Sequence, residues 1–357
     1  MEPIVGVKCY GFDWINKHGL SMRDAASWLR RSGVDWALVQ NLIDPVPGSE
    51  VAQQPPAAAY NDEEFRHRLR DEGLKYFETT VMFHDPAADP GLRPVDQHGR
   101  TFTGDGWYAG LCPSDPGYLT KKVARVADAA ERLRPDGVFV SFIRFPGFWE
   151  LWMPGDNRDN LDEYCFCARC LRRFEAETGH ALPRDRPART LLHELRREWT
   201  DWKCGLIADA VGQVRAAVDG IPVMLNGFGL GGADFGNAVE EILAQRFADL
   251  DPFVDVYELM FYFQIQRRDP AQWIPARIAE ARKQTARPLL ACLQGGPEYL
   301  APRYAAGRRS PEITDGEWRQ ALRAAARADG VLVYSWRDLL RDPARVTGLL
   351  DYRHGLL

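Results

Sequence analysis

The chain reads as a (β/α)8 TIM barrel of the α/β class, and three observations say so. Eight short apolar runs alternate with eight longer helical patterns. The runs are rich in Val, Ile, Leu and aromatics without strict alternation, as parallel strands covered by helices on their outer face should be. The first run leads into Tyr10-Gly11-Phe12-Asp13-Trp14, which lacks the glycine-rich phosphate loop that the competing doubly wound sheet would place there.

Taken in order, strands are expected over 4–11, 35–41, 74–83, 137–145, 222–227, 254–262, 288–294 and 331–336. Ser21 caps a helix running to Arg31, and Asn61 with Glu64 forms a capping-box pattern for a helix that stops at Gly73. Further helices are expected over 115–134, 190–219, 237–250, 270–285, 315–329 and 342–352. The loops after strands three (84–114) and four (146–189) are much longer than the others. In a barrel both follow the carboxyl ends of strands, where active sites are built. With no repeat or linker dividing it, the chain is expected to form one barrel domain over 1–357, with an insertion at about 146–189.

Composition narrows the function classes. The 357 residues carry 45 Lys and Arg against 50 Asp and Glu, a net charge of −5 with no basic run. That argues against nucleic acid and against an anionic membrane surface as partners. No stretch approaches ~18 uninterrupted apolar residues, so no membrane span is expected. The N-terminus Met1-Glu2-Pro3-Ile4 enters the first strand without a basic region and long apolar core, so a cytoplasmic location is expected. Seven cysteines, three of them within six residues, fit thiols and a metal in a reducing compartment better than a disulfide framework. The 11 tryptophans fit either a sugar-binding cleft or large core residues.

Cys165, Cys167 and Cys170 can turn three sulfurs toward one point, and a tetrahedral zinc needs one ligand more. Cys112, His180 and His193 are the candidates. Four protein ligands leave no open position, so such a zinc is structural. Cys9, Cys204 and Cys292 stand alone and read as small buried hydrophobes.

The segment Leu111-Cys112-Pro113-Ser114-Asp115-Pro116-Gly117-Tyr118, followed by a helix, a strand and Cys-x-Cys-x-x-Cys-x-x-x-Phe, resembles the glycoside hydrolase family 42 β-galactosidases and their hypothetical glycosyl hydrolase relatives. The resemblance covers about 111–182 and is architectural elsewhere. It implies a barrel, a carbohydrate substrate and a zinc on Cys112, Cys165, Cys167 and Cys170. Strand four, Asp136-Gly137-Val138-Phe139-Val140-Ser141-Phe142-Ile143-Arg144-Phe145-Pro146, is similar to the relatives' Asp-Gly-(Ile/Val)-x-x-Asp-x-x-Arg-x-Pro. Two departures stand out. The family's Asn-Glu dipeptide at the end of strand four is absent, and Ser141 replaces the relatives' Asp. The tRNA-guanine transglycosylases also carry a Cys-x-Cys-x-x-Cys zinc motif, but the upstream Cys-Pro-x-x-Pro and the acidic charge balance argue against them.

Glycoside hydrolysis needs two carboxyl groups flanking the scissile bond. Acids at strand ends are therefore the candidates. Glu258, in an otherwise apolar strand six, must face a polar cavity or a partner, such as an inward Arg144. Glu150 lies on the loop after strand four. These two are the expected catalytic pair. Glu78 reads as structural. Asp13 and Asp338 suit either sugar hydroxyls or helix caps. Arg144, Asn226, Tyr262, Gln294 and Trp336 end successive strands and are the expected substrate contacts, with His84 a further residue in reach of the cleft. The expected function is hydrolysis of a small oligosaccharide or glycoside. The competing readings are a non-catalytic carbohydrate-binding protein and, more remotely, a queuosine-type transglycosylase. A homo-oligomer is compatible with the sequence.

Overall fold

The computed structural model describes residues 3–40, 60–104, 108–296 and 313–357. Strands β1 (Ile4–Tyr10), β2 (Trp36–Gln40), β3 (Lys75–Val81), β4 (Gly137–Ser141), β5 (Val223–Phe228), β6 (Val256–Phe261), β7 (Leu289–Gln294) and β8 (Gly330–Tyr334) pair in sequence order. Every pairing is parallel, and β8 returns to β1 to close the barrel. The run β7, Leu-Leu-Ala-Cys-Leu-Gln, is buried from end to end, which is why it shows no polar alternation. Close packing at the start of β4 requires Gly137, because a Cβ there would collide with the Phe77 ring.

The register sets side chains of neighbouring strands side by side on the inner face. Asn226 of β5 pairs with Glu258 of β6, and Gln294 of β7 with Tyr334 of β8. Lys8 of β1 lies in register with Leu38 of β2, and Leu38 with Phe77 of β3. Phe77 therefore faces the barrel interior, and its neighbour Glu78 faces the helices.

Four elements differ from the sequence expectation. Strand four ends at Ser141 because Phe142 adopts a left-handed backbone (φ 53°), so Arg144 lies on the turn beyond the strand. The expected helix over 237–250 is two short helices, Ala238–Glu241 and Phe247–Leu250. Ala244 turns left-handed between them (φ 60°), and the Gln245 side chain reaches inward to donate to the carbonyls of Ile143 and Asn226. Trp336 begins a helix, Trp336–Arg341, and does not end strand eight. The helix expected over 190–219 likewise divides into Pro187–His193 and Arg196–Ala217. The caps at Ser21 and Asn61 form as expected, each side chain accepting the backbone N–H three residues on. Asn41, expected to end strand two, lies outside the described residues.

The two long loops lie against each other. Asp96 bridges Tyr164, and the Phe166 N–H donates to the Val95 carbonyl at 2.8 Å. Glu163 joins them to the helix Arg196–Ala217 by accepting from Arg196, and it also pairs with Arg158 at 2.8 Å. Among the described residues no helix is long and apolar enough to cross a membrane.

Candidate active site and cysteine centre

A cavity of about 470 Å³ opens at the barrel and takes in Lys8, Tyr10, His84, Ser141, Arg144, Glu150, Asn226, Tyr262 and Tyr334. Its innermost feature is an ion pair. Glu258 is fully buried in β6, where an isolated carboxylate would be prohibitively costly. Lys8 Nζ lies 2.9 Å from Glu258 Oε1, and Asn226 Nδ2 donates to Oε2. Lys8 Nζ also stands 3.5 Å from the Tyr262 hydroxyl and 5.0 Å from the centre of the Phe139 ring. Burial by itself would push the Lys8 ammonium down. The charge and hydrogen bond of Glu258 oppose burial and hold the ammonium above its ordinary value. Tyr262 stacks on Tyr334 with ring centres 4.8 Å apart, fixing the wall beside the pair.

The partner expected for Glu258 was Arg144, and the structure replaces it with Lys8. The reason is register: β1 brings its one cation inside the barrel, whereas Arg144 sits beyond the end of β4. The signal was present in the sequence. Lys8 stands alone in Ile-Val-Gly-Val-Lys-Cys-Tyr, just as Glu258 stands alone in β6.

Arg144 also lines the cavity and is only 5% exposed. Its guanidinium lies 5.3–5.5 Å from the centres of the Tyr108, Phe142 and Phe228 rings. Nη1 donates to the Gly147 carbonyl at 2.8 Å. Tyr108 comes from the loop after β3, and its hydroxyl accepts from the Gly147 N–H at 3.2 Å. Glu150, in the single turn Trp149–Leu151, is buried and reaches the same cavity. His84 is held down to about 3, by burial first and then by the charge of Arg144, so its ring is neutral.

The structure brings together Arg144, Glu150, Asn226 and Tyr262 around the cavity, with Glu258 held behind Asn226. It does not bring in Asp13, Gln294, Trp336 or Asp338. Asp13 opens the short helix Asp13–Asn16 and pairs with Lys17 at 3.3 Å. Gln294 is fully buried, accepting from the Ile265 N–H and donating to the Gly296 carbonyl. Trp336 stacks on Trp14 in the core. Asp338 closes a capping box with Ser335. Helix capping, the alternative for Asp338, is what the fold uses. Glu78 accepts from the Tyr76 hydroxyl on the helical side of β3, with Asp62 and Arg132 as its charged neighbours. Burial pushes its carboxyl up to about 7.

The cysteine centre lies in the two long loops. The sulfurs of Cys112, Cys165, Cys167 and Cys170 all fall within 4.8 Å of one another. Cys112 Sγ is 3.3 Å from Cys170 Sγ and 3.7 Å from Cys167 Sγ. A tetrahedral zinc with arms of ~2.3 Å requires sulfur–sulfur edges of about 3.8 Å, so the four thiols fit the ion. Surrounding donors fit thiolates as well. The Val95 N–H points at Cys165 Sγ, and Ser114 Oγ lies 3.1 Å from both Cys112 and Cys170. Neither His180 nor His193 belongs to the cluster. The lone cysteines Cys9, Cys204 and Cys292 are buried, as expected.

No family model matches the chain, and no curated protein matches it. Solved structures do. The β-galactosidase of the psychrophilic Marinomonas ef1 superposes with a TM-score of 0.63 at 16% identity, over 93% of this chain and 54% of that one. A β-galactosidase from the Antarctic haloarchaeon Halorubrum lacusprofundi gives 0.62 at 16%, over 98% and 57%. A glycoside hydrolase family 42 β-galactosidase from G. stearothermophilus gives 0.65 at 12%, over 99% and 56%. The likeness is one of fold, and this chain spans little more than half the length of each of these proteins.

Proposed function

We propose that the protein is a glycoside hydrolase acting on a small oligosaccharide or glycoside, with Glu150 and Glu258 as its two carboxyl groups. The observation that carries the reading is the cavity itself. Glu150 reaches into it, and Glu258 stands directly behind its Asn226 wall, tethered by Lys8. Glu150, buried at the edge of the cavity, serves as the acid that protonates the leaving oxygen. Glu258, held by Lys8 and Asn226 behind the cavity wall, supplies the second negative charge of the site. Zinc on Cys112, Cys165, Cys167 and Cys170 is structural. Bound there, it supplies a closed thiolate clip between the loops and takes no part in the reaction.

A second reading has its own support. Both oxygens of Glu258 already have partners, and Ser141 offers a hydroxyl where the similar strand pattern has a carboxylate. These features favour a carbohydrate-binding protein without turnover. Aryl glycosides, both neutral and acidic, assayed on wild type, Glu150→Gln and Glu258→Gln at several pH values decide between them. Hydrolysis requires kcat to fall by at least about 100-fold in either variant with KM changed far less. Near-wild-type turnover in both variants removes these residues from the mechanism. Sugar binding without any turnover establishes the second reading.

A further inference from the structure

We infer that Arg144 makes the cavity a receptor for a sugar bearing an oxyanion substituent, a hexuronate carboxylate above all. The inference rests on the carbohydrate reading of the cavity and deepens it by naming the substrate's charge.

Arg144 is almost wholly buried, yet no carboxylate lies within ion-pair distance of its guanidinium among the described residues. One N–H is accepted by the Gly147 carbonyl, and the other donors belong to a side chain that lines the cavity. A largely buried guanidinium with no carboxylate beside it and donors open to the cavity favours an anionic occupant there. The nearby carboxylates do not supply it. Glu258 is engaged by Lys8, and Glu150 forms no ion pair with Arg144.

The surroundings are arranged to present the guanidinium. Tyr108, Phe142 and Phe228 sit around it at cation–π distances and hold it in place. A guanidinium so held offers the two-pronged donor geometry that matches a carboxylate. The neutral His84 and the Ser141 hydroxyl line the same cavity and add uncharged partners. The backbone supporting this arrangement is strained. Phe142, a bulky residue, is left-handed, and the turn that follows it is pinned: Gln245 donates to the Ile143 carbonyl and the Phe145 N–H donates to the Leu243 carbonyl. A helix cap or an ordinary turn would not need that conformation.

Calorimetric titration tests this without requiring turnover. Wild type, Arg144→Gln and Arg144→Lys are titrated with D-galacturonate, D-glucuronate, galactose 6-phosphate, galactose and glucose. Wild type should bind at least one of the acids at least about tenfold more tightly than the neutral sugars. That ratio should collapse toward one in Arg144→Gln and persist in part in Arg144→Lys, which keeps the charge but not the fork. Tighter binding of galactose 6-phosphate than of the uronates also supports an oxyanion site and identifies the phosphoryl group as its ligand. Neutral sugars bound as well as the acids, no binding of any acid at millimolar concentration, or an unchanged ratio in a folded Arg144→Gln overturns the inference. Acid binding without hydrolysis leaves it standing while the hydrolase reading fails. Hydrolysis of neutral glycosides alone does the reverse.

Discussion

The cysteine centre and the charged interior of the barrel are both small buried clusters, but they are assembled in opposite ways. The cysteine centre takes three of its four sulfurs from one short stretch and the fourth from the preceding loop. The interior pair takes its cation from β1 and its carboxylate from β6, strands that are not neighbours in the sheet. One cluster is held by the local turn that places its ligands. The other exists only because the barrel has closed. The first should therefore respond to chemistry that attacks a ligand, and the second to any change that leaves one charge without the other.

The largest effect is expected at the cysteines. Wild-type protein purified without chelator should contain about one zinc per chain, and Cys167→Ser less than half of that. Its unfolding free energy should drop by roughly 3–5 kcal/mol, as expected when a structural metal is lost. Elemental analysis with denaturant melts reads both, and a metal-free wild type of unchanged stability contradicts the zinc assignment. Stripping the metal with a strong chelator should reproduce the variant's behaviour.

Lys8→Met should be nearly as damaging. It strands the Glu258 carboxylate and should cost about 3–5 kcal/mol, whereas Lys8→Met combined with Glu258→Leu should recover much of the loss. A double variant no more stable than the single one means that the pair is not the source of the effect.

A smaller effect tests a charge outside both clusters. The Glu78 carboxyl is raised in the folded protein to about 7 from an ordinary 4.5. A raised acid binds its proton more tightly when folded, so its contribution to stability is complete below pH ~4.5 and is lost as pH rises toward ~7. Glu78→Gln should abolish that part of the pH dependence and be more stable than wild type near pH 8, by roughly 1–3 kcal/mol. Parallel melting curves for the two proteins from pH 5 to 8 would count against a buried Glu78 proton. The smallest effect belongs to Asp338→Ala, which should lose a helix cap worth about 1 kcal/mol and leave KM for any confirmed substrate unchanged.

Much of the barrel could be read from residues alone, since β7 and its like announce buried parallel strands and Ser21 and Asn61 announce their helices. Strand ends were less legible. Nothing in Ser141-Phe142-Ile143 marks a left-handed turn, because a Phe adopts that backbone only when surrounding contacts, here from Gln245 and Leu243, impose it. Candidate site residues divide the same way. Arg144, Glu150, Asn226 and Tyr262 do meet around one cavity, but Gln294, Trp336 and Asp338 are drawn off by a backbone contact, a tryptophan stack and a helix cap.

By itself the sequence determined the alternation of strands and helices, the two long loops and the three sulfurs clustered in the second of them. These follow from short-range facts: apolar runs, caps and ligands a few residues apart. Only the tertiary structure decided that Lys8 and not Arg144 neutralises Glu258, and that Arg144 is left facing a cavity ringed by aromatic side chains. Which charge meets which depends on the register and closure of eight strands, and solitary charged residues such as Lys8 and Glu258 show that partners must exist without saying who they are.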